Sequence, residues 1–167
     1  MAEMPDIPKY IYDCNVWIEI ISQYRHEIFA YFQEYNWELF LTSYNAVEIL
    51  RVLKRISQRT KENFERLENL AWNLWSLPCI RIMFDKPSSD TLINEIRTLP
   101  EYAIIAKAFD LEPKDVPYVV AAFQYNATLV TMDLRSLVAQ AQLLQQRLGV
   151  EVISWNAFIR LIQPELT

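Results

Sequence analysis

Short apolar runs alternate with amphipathic stretches along this chain. Residues 9–13, 37–42, 79–83, 127–131 and 150–154 are rich in aromatic and branched side chains and are bounded by polar or proline positions, the pattern of short buried strands. Between them, apolar residues recur at three- and four-residue spacing. This predicts helices over 16–23 and 26–34, then a helix from 43 with a break near 57–60, and another running on to about 77. Further helices are expected over 89–98, 101–109, 134–148 and 155–162, and one that starts between Pro113 and Pro117 and ends near Tyr125. Proline suits that start, because the N–H it lacks would have no intrahelical partner there. Ser43 is expected to N-cap its helix, with Ala46, Val47, Leu50 and Leu53 on the apolar side. Asp133 is expected to N-cap the 134–148 helix and Gly149 to end it. Strands separated by helices imply a parallel sheet with right-handed crossovers and helices on both faces. The expected fold class is α/β: a three-layer α/β/α sandwich with a five-stranded parallel sheet, as a single domain over 1–167.

Four acidic residues fall where this pattern would gather them. Asp13 closes the first strand and Asp133 follows the fourth. Glu48 lies a turn and a half into the helix after the second strand, and Asp115 sits at the start of the helix before the fourth. In an open parallel sheet, ligands bind outside the carboxyl ends of the strands. Carboxylates carried to one edge repel each other unless a cation joins them. Hard oxygen ligands point to Mg²⁺ or Mn²⁺, and the chemistry this suggests is metal-assisted phosphodiester cleavage. An aspartate at a helix start is ordinarily a cap, and Asp13, Asp115 and Asp133 each fit that role taken alone. Glu48 does not, because it lies inside a helix between Val47 and Ile49.

Composition removes competing chemistries. Gly149 is the only glycine among 167 residues, where average usage of about 7% would give roughly a dozen. No Gly-rich turn that cradles a nucleotide can be written. One histidine, His26, and two distant cysteines, Cys14 and Cys79, cannot build a structural zinc site. Such cysteine usage fits a reducing cytoplasm. No apolar run reaches the roughly 18 residues of a membrane span, and the acidic stretch 1–6 is unlike an export signal. A soluble cytoplasmic protein is the expectation.

The net charge of −5 argues against a protein that coats nucleic acid nonspecifically. A local cationic face can still be named. Arg51, Arg55 and Arg59 follow Glu48 in the same helix and fall within roughly 60° of it around the axis. Lys54 and Lys61 broaden the stripe. A solvated helix face is the ordinary reading of such a run. Sharing a face with Glu48 makes these arginines candidates for holding a nucleic-acid backbone.

The motifs around the acids resemble one family. Tyr12-Asp13-Cys14-Asn15-Val16-Trp17-Ile18 resembles its opening of apolar strand, Asp, any residue, Asn or Ser, then apolar helix. Thr42-Ser43-Tyr44-Asn45-Ala46-Val47-Glu48-Ile49-Leu50 resembles the second block. Asp115 with Val119-Val120-Ala121-Ala122, and Ala127-Thr128-Leu129-Val130-Thr131-Met132-Asp133, resemble the third and fourth. The chain looks like a PIN domain, the nuclease family that includes the VapC-type toxins of prokaryotic toxin–antitoxin pairs. The resemblance implies a metal-dependent endoribonuclease with Asp13, Glu48, Asp115 and Asp133 as the acidic quartet, supported through hydrogen bonds by Asn15 and Thr131. It further implies Mg²⁺ or Mn²⁺, an RNA substrate, homodimers and a small antitoxin partner. Two features depart from it: the stretch between Glu48 and Asp115 is long, and no further acid follows Asp133 within Leu134-Arg135-Ser136-Leu137.

Other readings of the same residues stand beside this one. A catalytically silent PIN-like module could keep the quartet and serve protein interaction. A phosphoacceptor switch at Asp13 wants a preceding acid pair and a later Lys, and no convincing match to that set is found. Core or interface packing is the better reading of Trp17, Trp37, Trp72, Trp75 and Trp155, although tryptophans also stack on bases. His26 reads as a surface residue, and Asp85 and Asp90 as loop chemistry.

Overall fold

The structure, a computed structural model, describes residues 7–23, 25, 27–83 and 100–163. The apolar runs form strands β1 (Lys9–Tyr12), β2 (Glu38–Thr42), β3 (Ile80–Met83), β4 (Thr128–Thr131) and β5 (Val152–Ser154). They pair in parallel in the order β3-β2-β1-β4-β5, with Ile11 opposite both Phe40 and Leu129. The helices described are α1 (Cys14–Ser22), α2 (Ile28–Glu34), α3 (Ser43–Thr60), α4 (Phe64–Trp75), α5 (Pro100–Phe109), α6 (Val116–Tyr125), α7 (Ala141–Leu148) and α8 (Trp155–Ile162). The helix expected over 89–98 lies outside the described residues, as do His26, Asp85 and Asp90.

Alternation along β1 sends Tyr10 and Tyr12 to one face of the sheet and Ile11 to the other. Tyr12 meets Trp17 of α1, Phe32 of α2, and Trp155 and Phe158 of α8, all edge-on. Trp17 in turn stacks on Phe29 and meets Trp75 of α4 edge-on. On the opposite face, Phe40 stacks on Tyr125 of α6, with ring centroids 5.1 Å apart. Helices thus cover both faces of a parallel sheet, the three-layer α/β/α arrangement that buries strands on both sides. Trp17, Trp75 and Trp155 are buried, whereas Trp72 is half exposed.

Three boundaries differ from expectation, each for a local hydrogen-bonding reason. Thr42, not Ser43, caps α3: its backbone is still extended, and its hydroxyl accepts the Asn45 N–H at 3.1 Å. The break expected near 57–60 falls at 61–63 instead. The Ser57 and Thr60 hydroxyls donate back to the carbonyls of Lys54 and Ile56, so they satisfy the helix instead of interrupting it, and α3 ends at Lys61, which has φ 59°. The helix expected from 134 begins only at Ala141. Asp133 Oδ1 accepts the N–H groups of Arg135 and Ser136, and this side-chain turn competes with helix initiation. Gly149 ends α7 with φ 68°, a left-handed position that glycine adopts without strain.

The Thr42 cap is testable. Thr42→Ala is expected to lower stability by about 1 kcal/mol, read as a fall in the urea midpoint at unchanged slope. Thr42→Ser should retain most of it.

Candidate metal-binding site

The chain runs outward from β1 to β2 and β3, then returns to lay β4 on the other side of β1. The carboxyl ends of β1 and β4 therefore form the topological switch point, where open α/β sheets bind ligands. Asp13 directly follows β1, and its N–H donates to the Val130 carbonyl at 3.1 Å, which ties it to β4. Asp133 stands two residues beyond Thr131, the last of β4. Helix α3 brings Glu48 to this edge. Asp115 arrives on a single 3₁₀ turn, Pro113–Asp115, that leads into α6.

All four acids line one cleft of about 230 Å³, together with Cys14, Asn15, Arg51, Val52, Arg55, Lys114 and Tyr118. Asn15 is exposed at its mouth, and Arg59 stands farther along α3, outside the lining. Thr131 is fully buried beneath the acids. Its hydroxyl donates to Asp13 Oδ2 and accepts the Asp133 N–H at 2.9 Å, so one side chain fixes two strand-end acids. Among the described residues, no three His, Cys, Asp or Glu side chains stand close enough to form a ready-made cation cage. The quartet expected as one cluster shares a cleft without closing on a point.

The three aspartates differ in what satisfies them. Asp13 Oδ1 caps α1 by accepting the Val16 N–H at 3.0 Å. Asp133 caps its turn. Asp115 is only 6% exposed, makes no capping bond, and its Oδ2 has no hydrogen-bond partner. A buried unpartnered carboxylate oxygen is costly. Burial is the main cause that pushes Asp13 up to about 6 and Asp115 up to about 7. The Asp133 charge adds to both, while Thr131 and Val16 pull Asp13 back and Lys114 pulls Asp115 back.

Both carboxyls hold a proton more tightly folded than unfolded, where the ordinary value is 3.8. Metal-free stability should therefore be greatest below about pH 4 as far as these groups decide it, and fall as pH rises through about 6 to 7. After allowance for solvent at the cleft mouth, the loss is of order 1–3 kcal/mol. Urea midpoints measured in chelator at about pH 5 and pH 7.5 check it.

Several cleft residues escaped the sequence reading. Tyr118 and Tyr44 donate to Glu48, and the Cys14 thiol does the same. Burial first, then the Glu48 charge, hold the Tyr118 phenol well above its usual range, so it remains a donor. Burial, helped by the Glu48 and Asp13 charges, likewise keeps Cys14 a thiol. Lys114 pairs with Glu112 at 3.4 Å on the cleft wall. The one available signal was spacing: Tyr118 is three residues after Asp115 and Tyr44 four before Glu48, both on-face distances in a helix.

No family model matches this chain, and no curated protein does. Solved structures do. PAE2754 from Pyrobaculum aerophilum, a PIN-domain protein, superposes with TM-score 0.63 at 15% identity, over 95% of this chain and 91% of that one. A chain of VapBC2 from Rickettsia felis, bound to a DNA fragment from their promoter, gives TM-score 0.55 at 16% identity, over 88% of this chain and 98% of that one. At such identities the likeness carries the fold, and the fold of this chain is PIN/VapC-like.

Proposed function

We propose that this chain, as one domain over 1–167, is a metal-dependent endoribonuclease of the VapC type. Asp13, Glu48, Asp115 and Asp133 would hold Mg²⁺ or Mn²⁺ at the switch point of the sheet. The observation that carries the reading is Asp115: buried, uncapped and with an unpartnered oxygen, in a cleft it shares with three other acids. A divalent cation offsets the cost of that arrangement, and Mg²⁺ needs only one or two protein carboxylates because it keeps several waters. The hard oxygen donors suit that ion class.

When bound, such an ion supplies a water of lowered pKa and offsets charge on the phosphate oxygens. The chain's own residues do the rest. Thr131 holds Asp13 and Asp133 in fixed relation. Arg51 and Arg55 on one wall and Lys114 on another offer cations to the RNA backbone, with Arg59 extending the α3 face and Asn15 at the mouth. Further parts of the proposal are a small antitoxin protein as partner, in keeping with the VapBC2 neighbour, and a cytoplasmic setting. No helix among the described residues is long and apolar enough to cross a membrane.

A catalytically silent PIN-like interaction module is the second reading, favoured by the lack of a closed three-ligand cage among the described residues. Incubation with single-stranded RNA in Mn²⁺, and in chelator, separates the two. The nuclease reading expects cleavage in Mn²⁺ alone. Intact RNA together with no measurable Mn²⁺ binding supports the silent module. A homodimer is also proposed: light scattering at micromolar concentration should give twice 19.8 kDa, and a monomer mass would contradict it.

A further inference from the structure

Glu48 belongs to α3, yet its carboxylate is also gripped from α6. The Tyr118 hydroxyl lies 2.5 Å from Oε1, and the Tyr44 hydroxyl 3.0 Å from Oε2. Counting protons makes the first bond directional. Asn45 donates its amide N–H to the Tyr118 oxygen at 3.2 Å, so the single Tyr118 proton is committed to Glu48. The Tyr44 proton lies between Glu48 and the Lys114 carbonyl, at 3.2 Å, and a carboxylate is the stronger acceptor of the two. The two rings meet edge to face, 5.6 Å apart. Tyr118, Tyr44 and Asn45 are 2%, 4% and 0% exposed, so water does not compete for these bonds. Asp115 Oδ2, in the same cleft, has no partner at all.

We propose that Tyr118, backed by Asn45 and helped by Tyr44, is a positioning residue that fixes the orientation of the Glu48 carboxylate toward a bound divalent cation. The inference rests on the metal-site reading above. A purely structural role would need the rings, which pack against each other. It would not need both hydroxyls turned onto the one acid of the quartet that lies in a helix interior. The grip also joins α3 to the segment carrying Asp115, so it sets the two side walls of the cleft relative to each other. The Cys14 thiol is a third donor to the same carboxylate. Partners that orient metal ligands typically change affinity by about 10- to 100-fold when removed.

Tyr118→Phe keeps the ring and removes the bond. Mn²⁺ dissociation constants, read from the free-ion electron paramagnetic resonance signal, should be compared for wild type, Tyr118→Phe, Glu48→Gln, the double variant and Asp115→Asn. Metal-free Tm is recorded for each. The expected result is an approximately tenfold weaker constant in Tyr118→Phe, and a change under about twofold when the same substitution is made in Glu48→Gln. Equal losses in both backgrounds would mean that Tyr118 does not act through Glu48 and would overturn the proposal, as would wild-type affinity in Tyr118→Phe. Should Tyr118→Phe fail to fold, the same cycle with Tyr44→Phe decides, with a smaller loss expected. Absent Mn²⁺ binding in the wild type, or unchanged binding in Asp115→Asn, would bring down the metal-site reading and this inference with it. Binding lost in Asp115→Asn but untouched in Tyr118→Phe removes the positioning role alone.

Discussion

Asp115→Asn is expected to abolish the rise in Tm that Mg²⁺ or Mn²⁺ gives the wild type, and to cut RNA cleavage by at least about a hundredfold. At a metal concentration near 100 times Kd, mass action adds about 2.7 kcal/mol to the wild type, roughly 5–10 °C in a chain of this size. The metal-free variant should be as stable as the wild type or more so near neutral pH. The substitution removes a buried charge that has no hydrogen bond at Oδ2 and that faces Asp133 and Asp13. Its stability should also lose much of the decline between about pH 4 and pH 7, because one of the two groups responsible is gone. Asp13→Asn is a less clean probe. Its amide could still cap α1, but its N–H₂ would face a Thr131 hydroxyl that already accepts from Asp133. An identical metal response in wild type and Asp115→Asn, measured by scanning fluorimetry, would contradict the site.

Changing Arg51 and Arg55 together to Ala is expected to weaken RNA binding most at low salt. Each arginine that contacts a phosphate releases about 0.7 of a condensed counterion from a single strand, so the plot of log affinity against log salt should flatten by roughly 1.4 units. Both side chains line the cleft that holds the acids, which is the reason to choose them over Arg59. The metal-induced rise in Tm should survive, since neither residue offers an oxygen ligand. Ca²⁺ in place of Mg²⁺ suppresses cleavage during the titration. An unchanged slope would mean that the backbone is held elsewhere, with Lys114 on another wall the next candidate.

The sheet was legible in the sequence because parallel strands buried on both faces must be apolar throughout, as residues 39–41 and 129–130 are. Helix ends were read less well, because there a single side-chain hydrogen bond decides. Thr42 or Ser43 could each have capped α3, and Asp133 serves a turn rather than the long helix its spacing suggested. Within the site, residue type and order pointed to the four acids. They could not rank them, since Asp13, Asp115 and Asp133 all resemble caps until the N–H partners are known. Only the tertiary arrangement shows that Asp115 caps nothing. The Tyr118 phenol on Glu48 was hidden for a different reason: it reaches the acid across 70 residues, a pairing that no local period contains, whereas Tyr44 lies one helical turn before Glu48.

The position of a bound cation tests the metal site most directly. Crystals grown with Mn²⁺ and measured near the manganese absorption edge should show an anomalous peak in the cleft, with an Asp115 oxygen among its ligands and Asp13, Glu48 and Asp133 reached directly or through ordered waters. A cleft that stays without a peak at saturating Mn²⁺, or a peak confined to some other acidic surface, would contradict the claim that these carboxylates hold a metal.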